Sequence, residues 1–131
     1  MRALSLVVLS LWLAVFPAAA AVGGKYAGTW SGASGAGGDL KMSFTSGADG
    51  KWTAEVSFTF AGETVPCKVK SVSVDGDKVE VVYEFDLGGV QLQSTATGQL
   101  SGNKMEGKYT TKSVADGSTA DQGAWSATAA K

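Results

Sequence analysis

From Tyr26 onward the chain alternates apolar and polar residues with a period of two, and Gly, Asp or Asn interrupts the alternation at short intervals. Successive side chains of a strand point to opposite faces, so this pattern specifies half-buried strands joined by hairpin turns. Tyr26, Gly28 and Trp30 share one face of a first strand, and Leu40, Met42 and Phe44 one face of a second. After the turn Ala48-Asp49-Gly50, a third strand sets Trp52, Ala54, Val56, Phe58 and Phe60 against Thr53, Glu55, Ser57 and Thr59. In a fourth, Val65, Cys67 and Val69 alternate with Pro66, Lys68 and Lys70 before the phase shifts to Val72 and Val74. That shift predicts a bulge near Lys70 and Ser71. Pro66, which has no amide hydrogen, belongs at the strand's start or where the ladder is open. Val79, Val81, Tyr83, Phe85 and Leu87 mark a fifth strand, and Val90, Leu92, Ser94 and Ala96 a sixth. Met105, Gly107, Tyr109 and Thr111 mark a seventh, and Gly123, Trp125, Ala127 and Ala129 an eighth.

Eight consecutive strands with short turns and one apolar face each predict an all-β fold, an eight-stranded antiparallel up-and-down meander barrel, because closure removes exposed sheet edges. A β-sandwich competes, but no long Greek-key crossover is apparent. A lipid-spanning barrel would need an apolar exterior, whereas the outward residues here are Lys, Glu, Ser, Thr and Gln.

The N-terminal segment follows a different grammar. Arg2 precedes an apolar run from Ala3 to Phe16, broken only by Ser5 and Ser10, and then come Pro17 and the alanines Ala18 to Ala21. This reads as a secretory signal over residues 1–20, cleaved after Ala20, and predicts a secreted or periplasmic protein whose residues 21–131 form a single β-barrel domain. The run is shorter than the roughly 20 residues a membrane-spanning helix needs, and no second one follows, so no membrane span is expected in the mature form. The lone Cys67 has no intramolecular partner. A buried, inert thiol in a monomer is expected, with pairing between chains as the alternative.

Beyond the signal, ten lysines face twelve carboxylates, with no arginine and no histidine. Without arginine or a basic excess, nucleic acid is not an expected partner. Without histidine there is no imidazole base for a Ser or Cys nucleophile, no His ligand for zinc and no proximal His for haem. Asp49, Asp75, Asp77 and Asp116 each lie next to or within one residue of a Gly in a turn, where Asp serves local hydrogen bonding more readily than calcium. Glu55, Glu80, Glu84 and Glu106 fall on outward faces, not on opposite sides of a cleft as glycosidase chemistry requires. No catalytic constellation, metal site or cofactor is therefore expected, and the chain reads as non-catalytic.

A short pattern recurs at Gly24-Lys25-Tyr26, Gly28-Thr29-Trp30, Gly50-Lys51-Trp52, Gly107-Lys108-Tyr109 and Gly123-Ala124-Trp125. In each, the glycine's missing side chain leaves room for a ring on the same face. Through Gly28-Thr29-Trp30 and the meander after it, the chain resembles the calycin group of small barrels, which includes the lipocalins. The resemblance implies a barrel able to enclose a small apolar molecule. The arginine that lipocalins commonly pack over the motif tryptophan has no counterpart here. Gly28-Thr29-Trp30-Ser31-Gly32 also looks like the start of nitrobindin-type haem barrels, whose histidine ligand is missing.

Two functions follow from how the barrel is filled. Bulky inward residues gather on the second to fifth strands and small ones on the last three, so a cavity or a solid core both fit. With a cavity, the partner is a small hydrophobic molecule, and Trp30, Phe44, Trp52, Phe58, Tyr83, Tyr109 and Trp125 are the expected ligand-binding residues. With a solid core, the barrel is a structural or protein-interaction module.

Overall fold

A computed structural model describes residues 22–130, so the signal segment and its cleavage point lie outside the described residues. The alternation is realised as strands β1 (Gly24–Gly32), β2 (Gly37–Ser46), β3 (Trp52–Phe60), β4 (Glu63–Pro66), β5 (Lys68–Asp75), β6 (Lys78–Leu87), β7 (Val90–Ser101), β8 (Lys104–Ser113) and β9 (Thr119–Ala129). All nine belong to one sheet in the order β4-β3-β2-β1-β9-β8-β7-β6-β5. Every pairing is antiparallel, and the first and last strands join through Tyr26↔Ala129 to Gly32↔Gly123. One continuous sheet curled on itself is a nearly closed meander barrel, not a sandwich of two sheets.

The ninth strand comes from the segment that the alternation marks as one strand, Val65 to Val74. Its first part pairs with β3, ending at Ser57↔Pro66. After Cys67 the chain pairs with β6 instead, beginning at Lys68↔Glu84. Pro66 offers no amide hydrogen to the ladder, so it sits where one partnership ends and the other begins. The register then slips between Val69 and Ser71, leaving Lys70 as the extra residue of a bulge that tightens the coil. A single segment thus belongs to both margins of the sheet and brings β5 beside β3.

Antiparallel order puts the connections β1–β2, β3–β4, β6–β7 and β8–β9 at one end and β2–β3, β5–β6 and β7–β8 at the other. The second end is packed solid. Val22, Phe44, Val81 and Met105 are at most 2 % exposed. Phe44 meets Tyr26 edge to face at 5.9 Å, and the Tyr26 hydroxyl donates to the Val22 carbonyl at 2.8 Å. The first end lacks such a lid. Phe60, Val90 and Val114 stand exposed there, Phe60 on the inward face that the alternation assigns it, where it lines the hollow at this end. Each lies beside a turn, where the last layer of side chains has nothing above it.

The recurring glycine-aromatic pattern divides into two kinds. At Gly24, which opens β1, and Gly50, in the β2–β3 turn, a side chain would meet open space, and both have positive φ, a backbone conformation that glycine adopts without strain. At Gly28, Gly107 and Gly123 an added Cβ would strike the backbone of the neighbouring strand. These mark close approaches where the sheet coils. Gly107 pairs with Gly98 on one side and Trp125 on the other. The indole of Trp125 covers that bare patch, its Cη2 lying 2.7 Å from where a Cβ of Gly98 would be, and its Nε1 donates to the Thr97 carbonyl at 3.2 Å.

Candidate functional site

At the open end the barrel encloses a cavity of ≈ 250 Å³. Its walls are largely apolar: Leu40 and Met42 from β2, Phe58 from β3, Phe85 from β6 and Leu92 from β7. Five of the seven residues expected to bind a ligand line it, namely Trp30, Phe58, Tyr83, Tyr109 and Trp125. The other two do not. Phe44 is buried at the closed end, and Trp52, at the start of β3 beside the β2–β3 turn, packs partly buried against the core. Period-two reading identifies an inward ring but not its height along the barrel axis, and this hollow lies toward the open end.

The rings form a connected wall. Trp30 meets Phe58 at 5.6 Å and Tyr109 at 6.0 Å, both edge to face, and stacks on Phe60 at 6.3 Å. Phe58 meets Phe85 at 4.9 Å. Such pairs each contribute about 0.5–1.5 kcal/mol beyond the area they bury. The Trp30 Nε1 donates to the Thr59 carbonyl at 3.1 Å, which fixes the indole against β3.

Across this wall runs a polar row that the ladder itself assembles. Tyr83 pairs with Ser94, Ser94 with Thr111, and Thr111 with Asp121, one residue from each of β6, β7, β8 and β9. All four line the cavity. The hydroxyls of Ser94 and Thr111 hydrogen-bond to each other, both nearly fully buried. At the far end of the row the Tyr109 hydroxyl donates to Asp121 Oδ2 at 3.0 Å, and the Ser34 amide donates to Asp121 Oδ1 at 3.3 Å. Gly32 makes room for this junction, because a Cβ there would lie 2.7 Å from the Tyr109 hydroxyl and crowd the Asp121 carboxylate. Sequence reading did not single out Asp121, although it lies two residues before Gly123 on the face that continues through Trp125 and Ala127. Its alternation phase was the available signal.

Burial sets the protonation of the phenols and the thiol. Desolvation, and secondarily the nearby Cys67, pushes Tyr83 up to about 12, a hydrogen bond from Ser94 offsetting part of the rise. Tyr109 is likewise raised, by desolvation and by its hydrogen bond to Asp121. The half-buried Cys67 thiol is pushed up by desolvation to about 12. Thiolate is the reactive form. At pH 8 the native protein should therefore react with iodoacetamide at least about a hundredfold more slowly than the urea-unfolded chain. Equal rates, followed by mass shift, would contradict this placement of the thiol.

The turn aspartates have local work. Asp49 Oδ1 accepts from the Lys51 amide at 3.0 Å, and Asp116 Oδ1 accepts from the Ser118 amide at 3.0 Å and hydroxyl at 2.7 Å. These hydrogen bonds, the amide's first, hold the Asp116 carboxyl below its ordinary range. Glu84, on the outer face, accepts from Gln91 and Gln93, and Glu106 pairs with Lys104 at 3.4 Å. No family model matches the chain, and no curated protein matches it.

Proposed function

We propose that this protein is an exported, non-catalytic binding barrel that holds a small hydrophobic molecule in the cavity at its open end. The observation that carries this reading is the ≈ 250 Å³ hollow walled by aromatic and aliphatic side chains. Ligand pockets of folded proteins are mostly apolar with a few placed polar groups, and this one has the Tyr83–Ser94–Thr111–Asp121 row in that role. At ~30 Å³ for a water in the liquid, the space suits an occupant the size of about eight waters, hence a compact one- or two-ring molecule. The meander, the near closure and Gly28-Thr29-Trp30 support kinship with the calycin group. Export rests on the charge, apolar run and alanine sequence of residues 1–20.

Intrinsic fluorescence, titrated with a panel of compact aromatic and alicyclic compounds, tests the reading. Trp30 and Trp125 line the cavity and Trp52 does not. A saturable change is expected in the wild type and in Trp52→Phe, and a smaller one in Trp30→Phe. A response that vanishes with Trp52→Phe, or none across the panel together with a bare polypeptide mass by native mass spectrometry, would refute it. That last outcome would favour a protein-docking module, for which exposed Phe60, Val90 and Val114 around the same end provide an apolar rim.

A further inference from the structure

We infer that the cavity selects organic cations, compact aromatic or alicyclic amines, over carboxylate ligands of the same shape; this rests on the cavity-binding reading above. Asp121 is the one acidic residue in the cavity lining, and no lysine accompanies it. Among the described residues the one ion pair is Lys104 with Glu106, so Asp121 has no cationic side chain of its own chain. It accepts one hydrogen bond at each oxygen, from Tyr109 and from the Ser34 amide. A carboxylate offers about four acceptor sites, so capacity remains for a further donor.

The surroundings reinforce the sign. An ammonium beside Asp121 would also lie within reach of the Tyr109 hydroxyl oxygen, which can accept a further hydrogen bond while its proton goes to the carboxylate. A ligand carboxylate in the same place would be desolvated opposite a like charge, with no lysine or arginine to receive it. The turn-flanking residues at this end, Glu63, Asp86 and Asp116 against Lys112, carry the same sign outward and favour the approach of a cation. Apolar body and charged head have separate places: the body among Leu40, Phe58 and Phe85, the head at the mouth end of the polar row.

Three probes that share one ring test this by calorimetry on the wild-type protein: phenethylamine, phenethyl alcohol and phenylacetate. Phenethylamine should bind at least about tenfold tighter than phenylacetate at neutral pH, with the alcohol between them. Asp121→Asn should remove most of the amine's advantage while leaving the alcohol's affinity within about twofold. Tyr109→Phe, which keeps both ring and carboxylate, should retain the preference. If the alcohol binds but the amine gains nothing over phenylacetate, the inference fails and the cavity reading stands. If none of the three binds, the inference fails, and the cavity reading fails with it only where the wider panel and native mass spectrometry are blank as well. The wild-type comparison decides the matter even where Asp121→Asn does not fold.

Discussion

Gly107→Val should leave the chain unfolded or insoluble, and the milder Gly107→Ala should cost about 3 kcal/mol or more in urea unfolding. On the inner face of β8 the added carbon would meet the Thr97 carbonyl of β7, with the Cα of Gly98 only 2.7 Å away. Those are backbone atoms, so relief requires strands to part, not a side chain to swing. Parting them would also disturb Trp125, whose Nε1 reaches both the Thr97 and the Lys108 carbonyls, at 3.2 and 3.3 Å. The contrast is Gly102, in the β7–β8 turn at φ 64°, where a Cβ meets nothing. There Ala strains only the backbone and should cost about 1 kcal/mol. Similar losses at the two positions would show that close strand approach is not what glycine serves at 107.

Alkali should weaken the fold. A phenol or thiol whose folded pKa exceeds its unfolded one keeps its proton in the native state while the unfolded chain sheds it. Stability is then full below the unfolded values, near 9 for the thiol and 10 for the phenol, and falls as pH climbs toward about 12. For the nearly buried Tyr83 the loss amounts to about 3 kcal/mol across that window. Cys67 and Tyr109 act in the same direction. Urea midpoints should therefore hold level from pH 7 to about 8.5 and decline above it, less steeply in Tyr83→Phe. A midpoint unchanged up to pH 11 would mean that these groups are solvated in the native protein.

The strands were legible because burial on one face forces alternation, and alternation survives in sequence whatever the tertiary details. The bulge at Lys70 was legible for the same reason, as a break in phase. What alternation does not carry is depth. Phe44, Trp52 and Trp30 all read as inward rings, yet the first plugs the closed end, the second packs at that same end, and only Trp30 faces the hollow. Nor does one strand reveal its neighbours' register. The row from Tyr83 to Asp121 exists because four strands align those residues, so Ser94 and Thr111 looked merely small and nothing set Asp121 apart. The division of one strand at Cys67 was half visible: Pro66 announced an interruption, but not that the chain would change partners there.

That change of partners has a bearing on the protein's life outside the folded state. The shared segment caps both margins of the sheet, and its first arm, β4, is only 4 residues long. Should that arm detach, the margin laid bare is β3, whose stretch Val56-Ser57-Phe58-Thr59-Phe60 is β-prone, uncharged and free of proline. Such a stretch, once unsheltered, is a template for intermolecular cross-β stacking. Four residues ending in a proline are thus what covers the edge that β3 would otherwise offer to another chain.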